Sequence, residues 1–138
     1  MNAIFREFLD CSQRLSKDES QSAVQEAVRS AKLAWEQLFT DAKVDRRILA
    51  SEYDRYPLAL ERMMYAAKRM PGLLLWLQWY HTLYTVLRVR GIEETNSVLE
   101  EGEEAIESGR PIADVIRDVF RDPNDVASPI VVNSVSRI

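Results

Sequence analysis

The sequence predicts an all-α fold, a compact bundle of about six or seven short helices around a central apolar helix at about 73–90. Three observations carry that expectation. Apolar residues recur at i, i+3, i+4 and i+7 through most of the chain, the spacing of one helical face. The 138 residues hold only 4 Gly and 5 Pro, too few for a turn-rich sandwich. A stretch of uncharged residues, "MPGLLLWLQWYHTLYTVL", runs from Met70 to Leu87 between Arg69 and Arg88.

The first helix is expected from about Ala3 to Lys17, with Ile4, Phe5, Phe8, Leu9 and Leu15 on one face. The second, from Ser22 to about Lys43, carries the clearest stripe: Val24, Ala27, Val28, Ala31, Ala34, Trp35, Leu38, Phe39 and Ala42. Its alanines allow another helix close approach, and Leu33 is an isolated apolar residue on the polar side. A third helix begins at Asp45, an acceptable N-cap, and runs to about Arg55. Pro57 ends or kinks it, because proline lacks an amide proton, and suits the first turn of a fourth helix reaching Met70. Leu60, Met63, Met64 and Ala67 would face inward there, with Arg62, Tyr65 and Arg69 outward.

On a helix at 73–90, Gln78, His81, Thr82, Thr85 and Arg88 fall in one arc of about 120°. A polar stripe through the midpoint fits a soluble helix with this arc nearest water; mid-membrane Gln and His would need polar partners. Past Gly91, Ser97 and Glu100 have capping-box spacing, Gly102 weakens the helix interior, and Gly109 is a C-terminal cap. Pro111 opens a final helix with Ile112, Val115, Ile116, Val119 and Phe120 on one side. The expected organisation is one helical domain over 1–122 and a tail or arm over 123–138, where Pro123 and Pro129 interrupt any periodicity.

Net charge is −4 but uneven. Residues 1–60 carry nine Lys/Arg against ten Asp/Glu, residues 61–90 five against one, and residues 91–138 four against eleven. A basic middle followed by an acidic end points to two parts that face each other or face different partners. The single Cys11 has no intramolecular disulfide partner, and the charged N-terminal stretch lacks the apolar run of a signal peptide; both point to the cytoplasm.

Catalytic, cofactor and metal residues are not expected. His81, the one histidine, has no carboxylate three or four residues away in sequence, and Cys11 has no histidine neighbour. Glu103, Glu104 and Glu107 have the Glu-Glu-x-x-Glu spacing of Mg²⁺-dependent all-helical nucleotide pyrophosphohydrolases. No glutamate follows Glu107, so the second acidic pair such a site needs is missing.

The sequence therefore points to a non-enzymatic interaction or assembly subunit acting through protein–protein contacts, self-association included. Candidate interface aromatics are Trp76, Trp79 and Tyr80, since aromatic residues bury large area with few torsions to freeze. The alternative is a subunit of a nucleoprotein complex whose basic segment contacts backbone phosphates. Arg46, Arg47, Arg62, Tyr65, Lys68 and Arg69 are its candidate contacts. A further alternative is a membrane-surface protein, with Arg69, Arg88 and Arg90 flanking the apolar helix.

Overall fold

A computed structural model describes residues 2–44 and 53–121. The described residues form six helices and no strand: α1 (Ala3–Arg14), α2 (Gln21–Val44), α3 (Arg55–Ala66), α4 (Pro71–Arg90), α5 (Ile92–Glu107) and α6 (Ile112–Val119). The all-α expectation holds. The third helix expected from Asp45, the contacts Arg46 and Arg47, and the tail over 123–138 lie outside the described residues.

Backbone packing divides the chain into two units, residues 1–81 and 82–138, with the boundary inside α4. The division also separates charge. Residues 1–81 carry twelve Lys/Arg against eleven Asp/Glu, and residues 82–138 carry six against eleven.

In the first unit α1 packs along α2, and α3 packs on both. Asn2 caps α1, its side-chain oxygen accepting from the Phe5 N–H at 2.8 Å, which satisfies an amide the helix cannot. Ser20 does the same for α2, its hydroxyl oxygen accepting from Ala23 N–H at 3.2 Å. The α2 stripe is buried as expected, apart from half-buried Val28. Phe5, Phe8, Tyr53 and Tyr56 form an aromatic cluster, with Phe5 edge-on to Tyr53 at 4.4 Å and Phe8 4.9 Å from Tyr56. Tyr53 also ties three segments together. Its hydroxyl accepts from Asn2 Nδ2 at 2.8 Å and donates to Asp41, whose other oxygen accepts from Gln37 at 2.9 Å.

Two sequence expectations shift here. Arg55 and Tyr56 belong to the helix that contains Pro57, not to the one before it. Pro57 is the third residue of α3, where no intrahelical amide bond is yet required, so the ring breaks nothing. The helix also ends at Ala66, before Met70, and Met64 is only half-buried.

In the second unit, α5 packs with α6. Ser97, expected to open a capping box, sits in the interior of α5 and is exposed. The helix starts five residues earlier because Gly91 alone separates it from α4, and the Thr95 hydroxyl donates back to the Gly91 carbonyl at 2.7 Å. Gly109 does terminate α5. Arg110 N–H reaches Ala105 O at 3.0 Å and Gly109 N–H reaches Ile106 O at 3.1 Å, the paired bonds of a Schellman motif.

Gly91 has φ +91° and ψ 180°, a conformation open essentially to glycine alone. Nothing lies within 4 Å of where a Cβ would stand, so the obstacle to a side chain is the backbone itself. Gly91→Ala should cost about 1–3 kcal/mol, read as a lower urea midpoint. An unchanged midpoint would mean that the α4–α5 joint relaxes into an ordinary turn.

Candidate functional site

Of the phosphate-contact candidates the structure describes, Arg62, Tyr65, Lys68 and Arg69 are all exposed. Arg62 and Tyr65 stand on α3, and Lys68 and Arg69 in the turn that follows. Tyr65 is 68% exposed, and the Lys68 ammonium lies 4.2 Å from its ring centroid, a cation–π contact that holds both side chains over the surface.

Arg62 is held more firmly. Its Nη1 donates to Ser12 Oγ on α1 at 3.2 Å, and the buried Ser12 hydroxyl itself donates to Ala59 O at 3.4 Å. This chain of contacts lays the guanidinium across the α1–α3 junction. There it meets two cations that sequence reasoning did not single out. Asp10, Gln13, Arg14, Ser16, Lys17 and Arg62 line an open groove of about 690 Å³. Arg14 is fixed by Glu7 at 3.0 Å and by the Cys11 sulfur at 2.9 Å. Those contacts, the thiol's first and then the carboxylate's, raise the Arg14 pKa above its ordinary value. Lys17 has no carboxylate partner among the described residues. The signal for this groove in the sequence is faint, since Arg14 and Lys17 are separated from Arg62 by more than forty positions.

The interface aromatics separate. Trp79 and Tyr80 are buried by the chain itself, whereas Trp76 is half-buried and stacks on Tyr80 at 6.2 Å. Leu73, Leu74, Leu75 and Trp76 are all half-buried, and the next four residues, Leu77 to Tyr80, are all buried. Four consecutive helical residues sample the whole circumference at steps of about 100°. One turn of α4 is therefore incompletely covered on every side, and the next is enclosed on every side. Leu58 on α3 adds an exposed apolar residue at 63%.

Several other cations are matched by carboxylates. Arg90 pairs with Glu94 at 3.6 Å, Arg117 with Asp114 at 3.1 Å, and both Arg110 and Arg121 with Asp118. Glu103, Glu104 and Glu107 are exposed on α5. No three His, Cys, Asp or Glu side chains among the described residues converge on a point where a metal ion would fit. Cys11 is a buried free thiol. No described helix is long and apolar enough to cross a membrane. The chain matches no family model, no curated protein and no solved structure.

His81 is half-buried in α4. Burial lowers its pKa from the ordinary 6.5, and the Glu61 carboxylate opposes part of that shift. The unfolded chain thus takes up this proton before the folded one does. The neutral imidazole contributes its stability in full above about pH 6.5, and the contribution is lost as pH falls from there through the lowered folded value. The difference in urea midpoint between the parent and His81→Gln should change over that window. Midpoints that run parallel across it would show that His81 is not desolvated.

Proposed function

We propose that this protein is a non-enzymatic assembly subunit that joins a protein partner, a second copy being the first candidate, through the N-terminal half of α4. The supporting observation is the Leu73–Trp76 turn, three leucines and a tryptophan that keep some solvent contact in every direction. Apolar surface of this kind, with Leu58 and Tyr65 also exposed in the same unit, is what a protein interface covers. His81 and Cys11, which a catalyst would recruit most readily, are instead half-buried and buried within helices. Cytoplasmic location belongs to the same proposal and follows from the single unpaired cysteine.

Sedimentation velocity over a range of concentrations tests this. The parent should form a species heavier than the 15.9 kDa chain. Leu74→Gln should return it to a monomer with its helical dichroism and thermal transition retained. A parent that stays monomeric, and that loses no cross-linked partner in its native host on Leu74→Gln, would overturn the reading.

A second reading, contact with nucleic-acid phosphates, is favoured by the exposed Tyr65–Lys68 pair beside Arg62 and Arg69. It would show as nucleic acid that co-purifies and is released by high salt.

A further inference from the structure

We propose that the groove between the C-terminal end of α1 and the middle of α3 is a binding site for phosphate groups, with Arg14, Lys17 and Arg62 as its ligands. This goes beyond the assembly reading and does not rest on it.

The lining of the groove holds three cations and one carboxylate, Asp10, and a second carboxylate, Glu7, pairs with Arg14 at 3.0 Å. Two of the cations are already positioned. Ser12 holds Arg62 through Nη1, and Glu7 with Cys11 holds Arg14 through Nη2. A guanidinium has five N–H donors, so each keeps further donors while its direction is fixed. Little side-chain freedom is then left to lose when an anion arrives. Lys17 supplies a movable ammonium beside them. Gln13 and Ser16 add neutral polar groups to the lining, and the Ser16 hydroxyl is occupied by the Gln13 carbonyl at 2.8 Å.

Charge and donor set together select the ligand class. With Glu7 on Arg14 and Asp10 in the lining, the net at the groove is about +1, and the spare N–H donors of two guanidiniums and an ammonium suit the several acceptor oxygens of one phosphate better than the two of a single carboxylate. The volume of about 690 Å³ is that of a small-molecule site and leaves room for what the phosphate is attached to. Either a free oligophosphate or the backbone of a nucleic-acid strand supplies such groups.

The test uses the full chain in low salt, with inorganic tripolyphosphate followed by calorimetry and a fluorescent single-stranded oligodeoxythymidylate followed by anisotropy. Lys17→Gln should weaken binding about tenfold, the effect of losing one charge-assisted contact. This exposed side chain has no partner among the described residues, so the fold is retained. Arg62→Gln should weaken binding further, with a thermal transition recorded to confirm that the variant is folded. Asp10→Asn should tighten binding by removing the repulsive carboxylate of the lining. Glu26→Gln makes the same change of net charge at an exposed site on α2, outside the groove, and should leave binding unchanged. Tripolyphosphate bound as tightly as the oligonucleotide identifies a small phosphate ligand. Tighter binding of the oligonucleotide, with a logarithmic salt slope near −0.7 per phosphate contacted, identifies a strand. The proposal is overturned if neither probe binds, if polyglutamate binds equally well, or if Asp10→Asn and Glu26→Gln act alike.

Discussion

Leu77→Ala should remove about 2–5 kcal/mol of stability, the range for a large buried aliphatic whose cavity the surroundings only partly refill. Leu77 is fully buried and opens the α4 turn in which every direction is enclosed. For a domain whose total is about 5–15 kcal/mol, such a loss would shift the urea midpoint by a large fraction of its value. Thr85→Ala should cost far less, because Thr85 is only half-buried and alanine is the stronger helix former. Equal small losses for both variants would mean that α4 is not enclosed as the structure has it. Flotation of the parent with liposomes in the same experiment would then assign the helix to a membrane surface.

The polar arc of α4 shows where sequence reasoning stops. Its five residues do share a face, but the expectation that this face lies nearest water fails for two of them. Gln78 and Thr82 are buried, His81 and Thr85 are half-buried, and only Arg88 is exposed. Periodicity reports which residues point the same way, and it cannot report what stands opposite them. The α2 stripe was legible because one side of that helix is apolar and the other charged, so burial follows from composition alone. Trp79 and Tyr80 were ambiguous for the converse reason. A helix apolar around two thirds of its girth offers no contrast from which to separate core from surface, and only the structure tells buried Trp79 from half-buried Trp76.

Side chain to backbone contacts were similarly out of reach. The sequence showed a capping-box spacing at Ser97, yet the helix runs through it because Gly91 supplies a backbone conformation that lets α5 start earlier. The phosphate groove is the largest omission. Arg62 was visible as a basic residue on an outer face, but its fixed direction depends on Ser12, and its companions Arg14 and Lys17 come from another helix.

Tyr56 allows the core of the first unit to be tested in two steps. Its ring is fully buried beside Phe8, and its hydroxyl donates to the Ala31 carbonyl of α2 at 3.0 Å, so one side chain joins α3 to both helices it packs on. Tyr56→Phe keeps the ring and loses the bond, at about 0.5–1.5 kcal/mol. Tyr56→Ala loses both and should cost about 3–5 kcal/mol, as aromatic truncations in cores do. The phenol adds a signature in pH. Burial pushes its pKa well above the ordinary 10, with nearby Tyr80 adding to the shift, so the unfolded chain ionises this group first as pH rises. The resulting stability is fully present below pH 10 and is lost as pH climbs from there toward the folded value. The parent should therefore lose stability above pH 10 faster than Tyr56→Phe, and the gap between their urea midpoints should narrow. A gap that stays constant through that range would show that the hydroxyl reaches water and that α3 does not close over α2 as the structure describes.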